Sequence, residues 1–298
     1  MDRANPVPTL INQSSGRAER DDHEVGEIRS ALGAAGIPAN VELVEGNAIS
    51  DRVRAASEAG AELVIVGGGD GSISAAASAL AGTGTRLGIL PLGTLNHFAR
   101  DLAIPAKLDE AAALIAAGKV REVDVADVNG RTFINNSAIG LYPLMVIDRD
   151  LQQKRLGRSK RLAMLVASAR TLARFHHHRL TLTVNDEDAR VDTPLLFVGN
   201  NDYRIDLGAP GRRDSLQDGE LCVLVMRKKT RRGMVAASIR ALFNRTRPDD
   251  MVRLDQVERL QVGSRRGHLS VSVDGEVVSL QPPLDYRVRK RSLKVIAA

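Results

Sequence analysis

ELVIVGGGDGSISAAASAL at residues 62–80 and RLGILPLGTLNHFARDL at residues 86–102 decide the fold of this chain. In the first stretch the β-formers Leu63-Val64-Ile65-Val66 run into Gly67-Gly68-Gly69-Asp70-Gly71, and a helical pattern of small residues follows from Ser72 to Leu80. A strand that ends in a glycine-rich turn and opens a helix is a phosphate cradle. Glycines let backbone N–H groups approach an anion, and the helix N-terminus adds positive potential. The second stretch predicts a strand over Leu87 to Leu90 that ends in Pro91-Leu92-Gly93-Thr94 and again feeds a helix. Two such turns on consecutive βα units place two phosphate-facing loops on neighbouring strands of one sheet. Neither turn is the GxGxxG dinucleotide fingerprint, and no Walker lysine follows. Taken alone, GGGDG also reads as a tight turn whose glycines allow close packing.

The alternation extends upstream. Val7 to Ile11 reads as a strand that ends in Asn12-Gln13-Ser14-Ser15-Gly16. A helix is predicted from about Asp21 to Ala35, with Ile28 and Leu32 on its apolar side and Gly36-Ile37-Pro38 as its stop. Val41 to Val44 is a short strand, and residues 50–59 form a polar-faced helix with Ser50 as N-cap. A further helix covers 108–117 and ends at Gly118. Strands and helices alternating with short links argue for an open parallel α/β sheet covered on both faces. Ligands of such sheets bind at the carboxyl ends of the strands, where every glycine turn named so far lies.

Near Asp124 the pattern changes. Asn129-Gly130 between Asp124–Val128 and Thr132–Asn136 is a hairpin signal. Further strands are predicted at 179–185, 194–199, 220–226, 252–262, 268–273, 276–280 and 284–288, which together describe an all-β second domain, a β-sandwich. Two amphipathic segments with basic polar faces interrupt it, at 160–175 and 231–245. The expected domains are 1–124 and 125–290.

A chain of 298 residues is long enough for two domains with their own cores. No apolar run approaches the ~18 residues of a membrane-spanning helix, and MDRANPVPTL lacks the shape of a signal peptide. The single cysteine, Cys222, sits in the β-like run LCVLVM and reads as a buried structural thiol. These features predict a cytoplasmic protein. Charge is uneven: residues 1–124 carry 11 Lys/Arg against 17 Asp/Glu, whereas residues 125–298 carry 31 against 19, a net of +12. The basic half suits an anionic membrane surface or nucleic acid. Aromatic content of 3% with no Trp weighs against base stacking, so no nucleic-acid partner is expected.

GGGDGSI followed by PLGTLNHFARDL resembles the catalytic domain of the diacylglycerol kinase and sphingosine kinase superfamily, particularly its bacterial soluble lipid kinases. The resemblance implies an N-terminal NAD-kinase- and diacylglycerol-kinase-like α/β domain, a C-terminal β-sandwich, and a last strand, about 292–297, by which residues 291–298 return to the first domain. It implies ATP and Mg²⁺. The nucleotide would be held by Asn12, Ser14 and Gly16 of NQSSG, by Gly67, Gly68, Gly69, Asp70, Gly71 and Ser72, and by Gly93, Thr94 and Asn96. Gln13 stands where the family has proline, Leu95 where a small residue is usual, and His97 where an aspartate often follows the asparagine. VEGNA at 44–48 resembles a further family loop only weakly, and no ligand is assigned there. Ser215 and Asp218-Gly219-Glu220 match a metal-binding loop whose oxygens suit hard Mg²⁺; a solvated turn explains them equally simply.

Asp274-Gly275-Glu276 has the form of a two-residue hairpin turn, and the resemblance implies that its carboxylates face the phosphates from the second domain. A kinase acting on an alcohol needs a group to take the hydroxyl proton as it attacks the γ-phosphorus. Asp70, Asp274 and Glu276 compete for that role, and the family's proton acceptor matches Glu276. The whole implies a lipid kinase that works peripherally at an anionic membrane, its active site between the two domains. A kinase of a soluble substrate, of the NAD-kinase type, and an inactive lipid-binding module are the alternatives; a homodimer stays open. His176-His177-His178 reads as a loop, since adjacent side chains diverge too far to share a metal. The basic runs Lys154–Arg161 and Arg227–Arg232 read either as solvated faces or as membrane contacts.

Overall fold

A computed structural model describes residues 6–14, 22–140, 177–206, 209–227, 230, 232–233, 236, 240 and 249–298. Gly16, the segment 160–175, the run Lys154–Arg161 and most of 231–245 therefore lie outside the described residues. The chain forms two compact units. The first comprises Met1–Val125, Asp214–Gln217 and Arg289–Ala298; the second comprises Ala126–Arg213 and Asp218–Val288.

The first unit alternates strand and helix: β1 (Val7–Asn12), α1 (Asp22–Ala34), β2 (Ala39–Val44), α2 (Ile49–Glu58), β3 (Leu63–Gly68), α3 (Asp70–Leu80), β4 (Arg86–Pro91), α4 (His97–Asp101) and α5 (Leu108–Ala117). Its sheet runs in the order β2-β1-β3-β4, and every neighbouring pair is parallel. Strands read as unbroken apolar runs because both faces are covered: Val64, Ile65, Val66, Leu87, Ile89 and Leu90 are all fully buried. The path steps from β1 outward to β2 and then back past β1 to β3. This reversal puts a crevice between the carboxyl ends of β1 and β3, at Asn12 and Gly68.

Two strands run through the boundary between the units, β5 (Val120–Val128) and, much later, a 13-residue strand over Leu284–Ile296. Between them come β6 (Arg131–Phe133), β7 (Asn136–Gly140), β8 (His178–Val184), β9 (Glu187–Thr193), β10 (Leu195–Asn200), β11 (Arg204–Asp206), β12 (Ala209–Arg212), β13 (Leu221–Met226), β14 (Met251–Val257), β15 (Arg259–Ser264), β16 (Leu269–Val273) and β17 (Glu276–Leu280). The long strand is β18. Its last residues pair in parallel with β4, Lys294 opposite Arg86 and Val295 opposite Leu87, so the chain does return to the first unit's sheet. Arg291 has a φ of 49°, and its N–H donates to the buried carboxylate of Asp124 at 2.7 Å. Asp124 thus holds the left-handed residue within β18.

The second unit is a β-sandwich. One antiparallel layer runs β14-β13-β10-β7-β16-β17, and the first half of β18 pairs with β15, β15 with β8 and β8 with β9. Side chains from both layers, among them Phe133, Ile139, Leu196, Val223, Val262 and Val271, share one core. Tyr286 is fully buried in it, edge-on to Phe133 with ring centroids 6.4 Å apart. Burial holds its phenol far above the ordinary range, against the hydrogen bond with Ser137 Oγ at 3.1 Å. We expect Tyr286→Phe to cost about 1–3 kcal/mol in denaturant unfolding, because it orphans the buried Ser137 hydroxyl. Adding Ser137→Ala should recover part of that loss.

Several boundaries differ from the sequence expectation. Ser50 is not the N-cap of α2: a 3₁₀ turn over Gly46–Ala48 leads straight in, and Ala48 holds the cap position. Helix α3 starts at Asp70, not Ser72, because Gly69 is already the extended cap residue. The predicted strand 252–262 is two strands, broken at Glu258 after Gln256 with a φ of 56°. Strand β9 was not expected; Asn185 and Asp186, both left-handed, turn the chain into it. Cys222 is buried as predicted, and burial pushes its thiol up.

Candidate functional site

Three loops meet at the carboxyl edge of the first unit's sheet. Ile11 lies opposite Gly67, and Gly68 opposite Pro91, so NQS, GGGDG and PLGT leave adjacent strands side by side. Their closeness requires glycine. A Cβ on Gly68 would stand 2.4 Å from Ser72 Oγ, and one on Gly93 would stand 2.4 Å from the Gly69 Cα. The two turns therefore touch backbone to backbone. A Cβ on Gly71, by contrast, meets nothing within 4 Å among the described residues, so these leave the first turn of α3 open on that side. That turn's N–H groups have no intrahelical acceptor, and the helix adds positive potential there. Asn12 closes the β1 side. Its Nδ2 donates to Ser72 Oγ at 2.8 Å, and its Oδ1 accepts from the Ser14 N–H at 3.1 Å.

The PLGT turn is held from within by Asn96. Asn96 Oδ1 accepts from the Gly93 N–H at 3.1 Å, and its Nδ2 donates to the carbonyls of Pro91 at 3.1 Å and Gly93 at 3.0 Å. Asn96 adopts a left-handed φ of 49° to do so. Its role is therefore to shape the turn, and the Gly93 N–H is committed within the protein. Thr94 is exposed, and its hydroxyl has no partner among the described residues. Asp70 Oδ1 accepts from the His97 N–H at 2.6 Å, which ties the GGGDG turn to the start of α4. His97 Nδ1 faces Arg100 Nη2 at 2.9 Å. Arginine only donates, so this nitrogen accepts and the ring proton sits on Nε2.

In the second unit the DGE turn has the left-handed pair that a two-residue hairpin needs, Asp274 with φ 46° and Gly275 with φ 87°. The two carboxylates differ. Asp274 accepts from three backbone N–H groups, those of Ile134, Asn135 and Asn136, at 2.9, 2.9 and 3.0 Å. Glu276 lies opposite Val273 in the β16–β17 ladder and is exposed, with no partner among the described residues. Directly paired residues share a face, so Glu276 ends the row of Leu269, Val271 and Val273 that lines the core.

The expected metal loop is divided. Ser215 groups with the first unit and accepts from the Gln217 N–H at 3.0 Å; Asp218 and Glu220 group with the second. Among the described residues no three His, Cys, Asp or Glu side chains cluster as a metal site, the described His177 and His178 included. Asn201, unremarked in the sequence, organises the loop. It is fully buried with a φ of 63°, and its Oδ1 accepts from the N–H groups of Asp218 at 3.1 Å and Gly219 at 3.2 Å. The signal was present: an asparagine just past a strand, in GNND, tolerates the left-handed region.

A family model described as the diacylglycerol kinase catalytic domain matches residues 6–128. A second, described as the YegS C-terminal NAD kinase beta sandwich-like domain, matches residues 146–297. The "Probable lipid kinase YegS" of Salmonella newport (strain SL254) is 39% identical over 125 residues, 40% of this chain. The match spans 42% of that relative's length, and the Salmonella dublin relative gives the same figures. A Bacillus anthracis str. Sterne crystal structure named "putative diacylglycerol kinase" superposes with a TM-score of 0.76 at 25% identity, over 98% of this chain and 97% of its own. Another from that organism shares the fold, with a TM-score of 0.76 at 24% identity over 100% of this chain and 99% of its own.

Proposed function

Because the chain belongs to the family that joins a diacylglycerol kinase catalytic domain to a YegS-type C-terminal β-sandwich, we propose that it is an ATP-dependent kinase of a lipid hydroxyl. The observation that carries this reading is the contact of two glycine turns, Gly69 against Gly93, at the carboxyl ends of neighbouring parallel strands. Backbone packed that closely leaves the open first turn of α3 and the free Thr94 hydroxyl for phosphate oxygens. Phosphoryl transfer asks little covalent chemistry of the protein beyond holding the phosphates and taking one proton. Glu276 is the group for the proton, since its carboxylate is uncommitted whereas those of Asp70 and Asp274 are engaged in backbone bonds. Magnesium, supplied with ATP, neutralises phosphate charge when bound. Asp218 would hold it together with backbone and water oxygens, since no carboxylate cluster stands among the described residues.

Diacylglycerol, a sphingoid base, phosphatidylglycerol and a polyprenol all offer a primary hydroxyl on an apolar tail. We would test γ-labelled ATP on vesicles of each, expecting label in the lipid extract. Label only in a soluble acceptor such as NAD would favour the NAD-kinase type, and ATP binding without any transfer an inactive module. The net +12 of residues 125–298 supports reversible docking on anionic bilayers, so the rate should rise with anionic lipid and fall with salt. Equal rates on neutral vesicles at every salt concentration would overturn the docking. Thr94→Val should weaken ATP binding by about 1.5–3 kcal/mol, the value of a hydrogen bond to a charged group. Calorimetric titration would show it, with thermal stability unchanged.

A further inference from the structure

Arg213 is 3% exposed, and its guanidinium lies 5.2 Å from the centroid of the Tyr203 ring. A buried cation is costly unless its donors are used. Here they turn to the loop Ile134–Asn136. Arg213 Nη1 donates to the Ile134 carbonyl, and Nη2 donates to Asn135 Oδ1 at 3.0 Å. The rest of the loop is just as fully held. Asn200 N–H donates to the Asn135 carbonyl at 2.9 Å, and Asp274 N–H to the Asn136 carbonyl at 2.8 Å. The three loop N–H groups go to the Asp274 carboxylate. All six backbone polar groups of Ile134–Asn136 therefore have partners: Arg213 and Asn200 share the Ile134 carbonyl, Asn200 holds that of Asn135, and Asp274 takes the Asn136 carbonyl and all three N–H groups.

We propose that Arg213 is a positioning residue for Glu276. It clamps the 134–136 loop, the loop fixes the Asp274 carboxylate, and Asp274 sets the left-handed turn from which Glu276 projects two residues later. Lysine cannot replace it. A single ammonium lacks the planar fork that reaches Ile134 O and Asn135 Oδ1 together. The inference rests on Glu276 as the proton acceptor, and two measurements separate its failure from the failure of that reading.

The first needs no substrate. In Arg213→Lys, amide hydrogen exchange of a peptide spanning 272–279 should speed up by ~10-fold or more, with 180–184 as an unchanged reference. Unchanged exchange over 272–279 would overturn the clamp. The second is a double-mutant cycle on turnover with dioctanoylglycerol micelles and ATP. Arg213→Lys should lower kcat by ~10–10²-fold with KM for ATP unchanged, and should have almost no further effect in a Glu276→Gln background. An equal loss in both backgrounds would sink the positioning role while leaving the base in place. Full turnover of Glu276→Gln alone would sink the base. Should Arg213→Lys fold poorly, Asn135→Ala removes one arm of the clamp, and the same coupling is expected of it.

Discussion

Replacing Glu276 with glutamine is expected to lower turnover by ~10²–10⁴-fold while ATP affinity stays nearly unchanged. Glutamine keeps the size and loses the charge, so it tests proton acceptance alone. The expectation follows from how the two carboxylates of one turn are used. Asp274 has both oxygens engaged by three N–H groups, bonds that weaken when the carboxylate takes a proton. Glu276 gives up nothing. Asp70→Asn should behave differently: with Asp70 Oδ1 tied to the His97 N–H, the change disturbs the link between the GGGDG turn and the start of α4, and ATP binding should weaken along with turnover. Near-normal turnover of Glu276→Gln, with Asp70→Asn losing turnover only, would exchange the two assignments.

Gly93→Ala should abolish measurable nucleotide binding in a chain that still folds. The added Cβ would lie 2.4 Å from the Gly69 Cα and 2.6 Å from Asn96 Oδ1. The first neighbour is backbone and cannot swing away, so the turns must part. Parting them strains the loop and breaks the Asn96 bonds that shape it, at roughly 1–3 kcal/mol for each element of backbone strain. The core strands are untouched, so the melting transition should stay cooperative. Gly26→Ala is the control: its Cβ on α1 meets nothing within 4 Å, and it should bind ATP normally. Normal ATP affinity in folded Gly93→Ala would remove the phosphate reading from this edge of the sheet.

The glycine turns were legible because they are local: a strand, a glycine run and a helix lie within 20 or so consecutive residues, and steric need alone explains them. So was the α/β-then-β order, carried by the switch of hydrophobic period near Asp124. What escaped the reading was non-local or weakly patterned. EDARVDT, strand β9, is an exposed edge whose pattern carries little apolar signal. The break between β14 and β15 falls at Gln256–Glu258, without glycine or proline to mark it. The division of labour in Asp274-Gly275-Glu276 depends on a loop 138 to 140 residues earlier in the chain, which no spacing within the turn reveals. Asn96, expected to touch the nucleotide, also makes three side-chain bonds that shape its own turn, which the spacing did not reveal.

The return of β18 to the sheet has a consequence for synthesis. Arg289 Nη2 reaches the Ala81 carbonyl at 3.1 Å across 208 residues of chain, and Lys294 and Val295 pair beside β4. A ribosome adding about 5–20 residues per second would need roughly 10–40 s to make that stretch. For all that time β4, the strand that ends in the PLGT turn, would stand with one edge unpaired and able to recruit another nascent chain. The sheet of the first unit is thus completed only after nearly everything else has been translated.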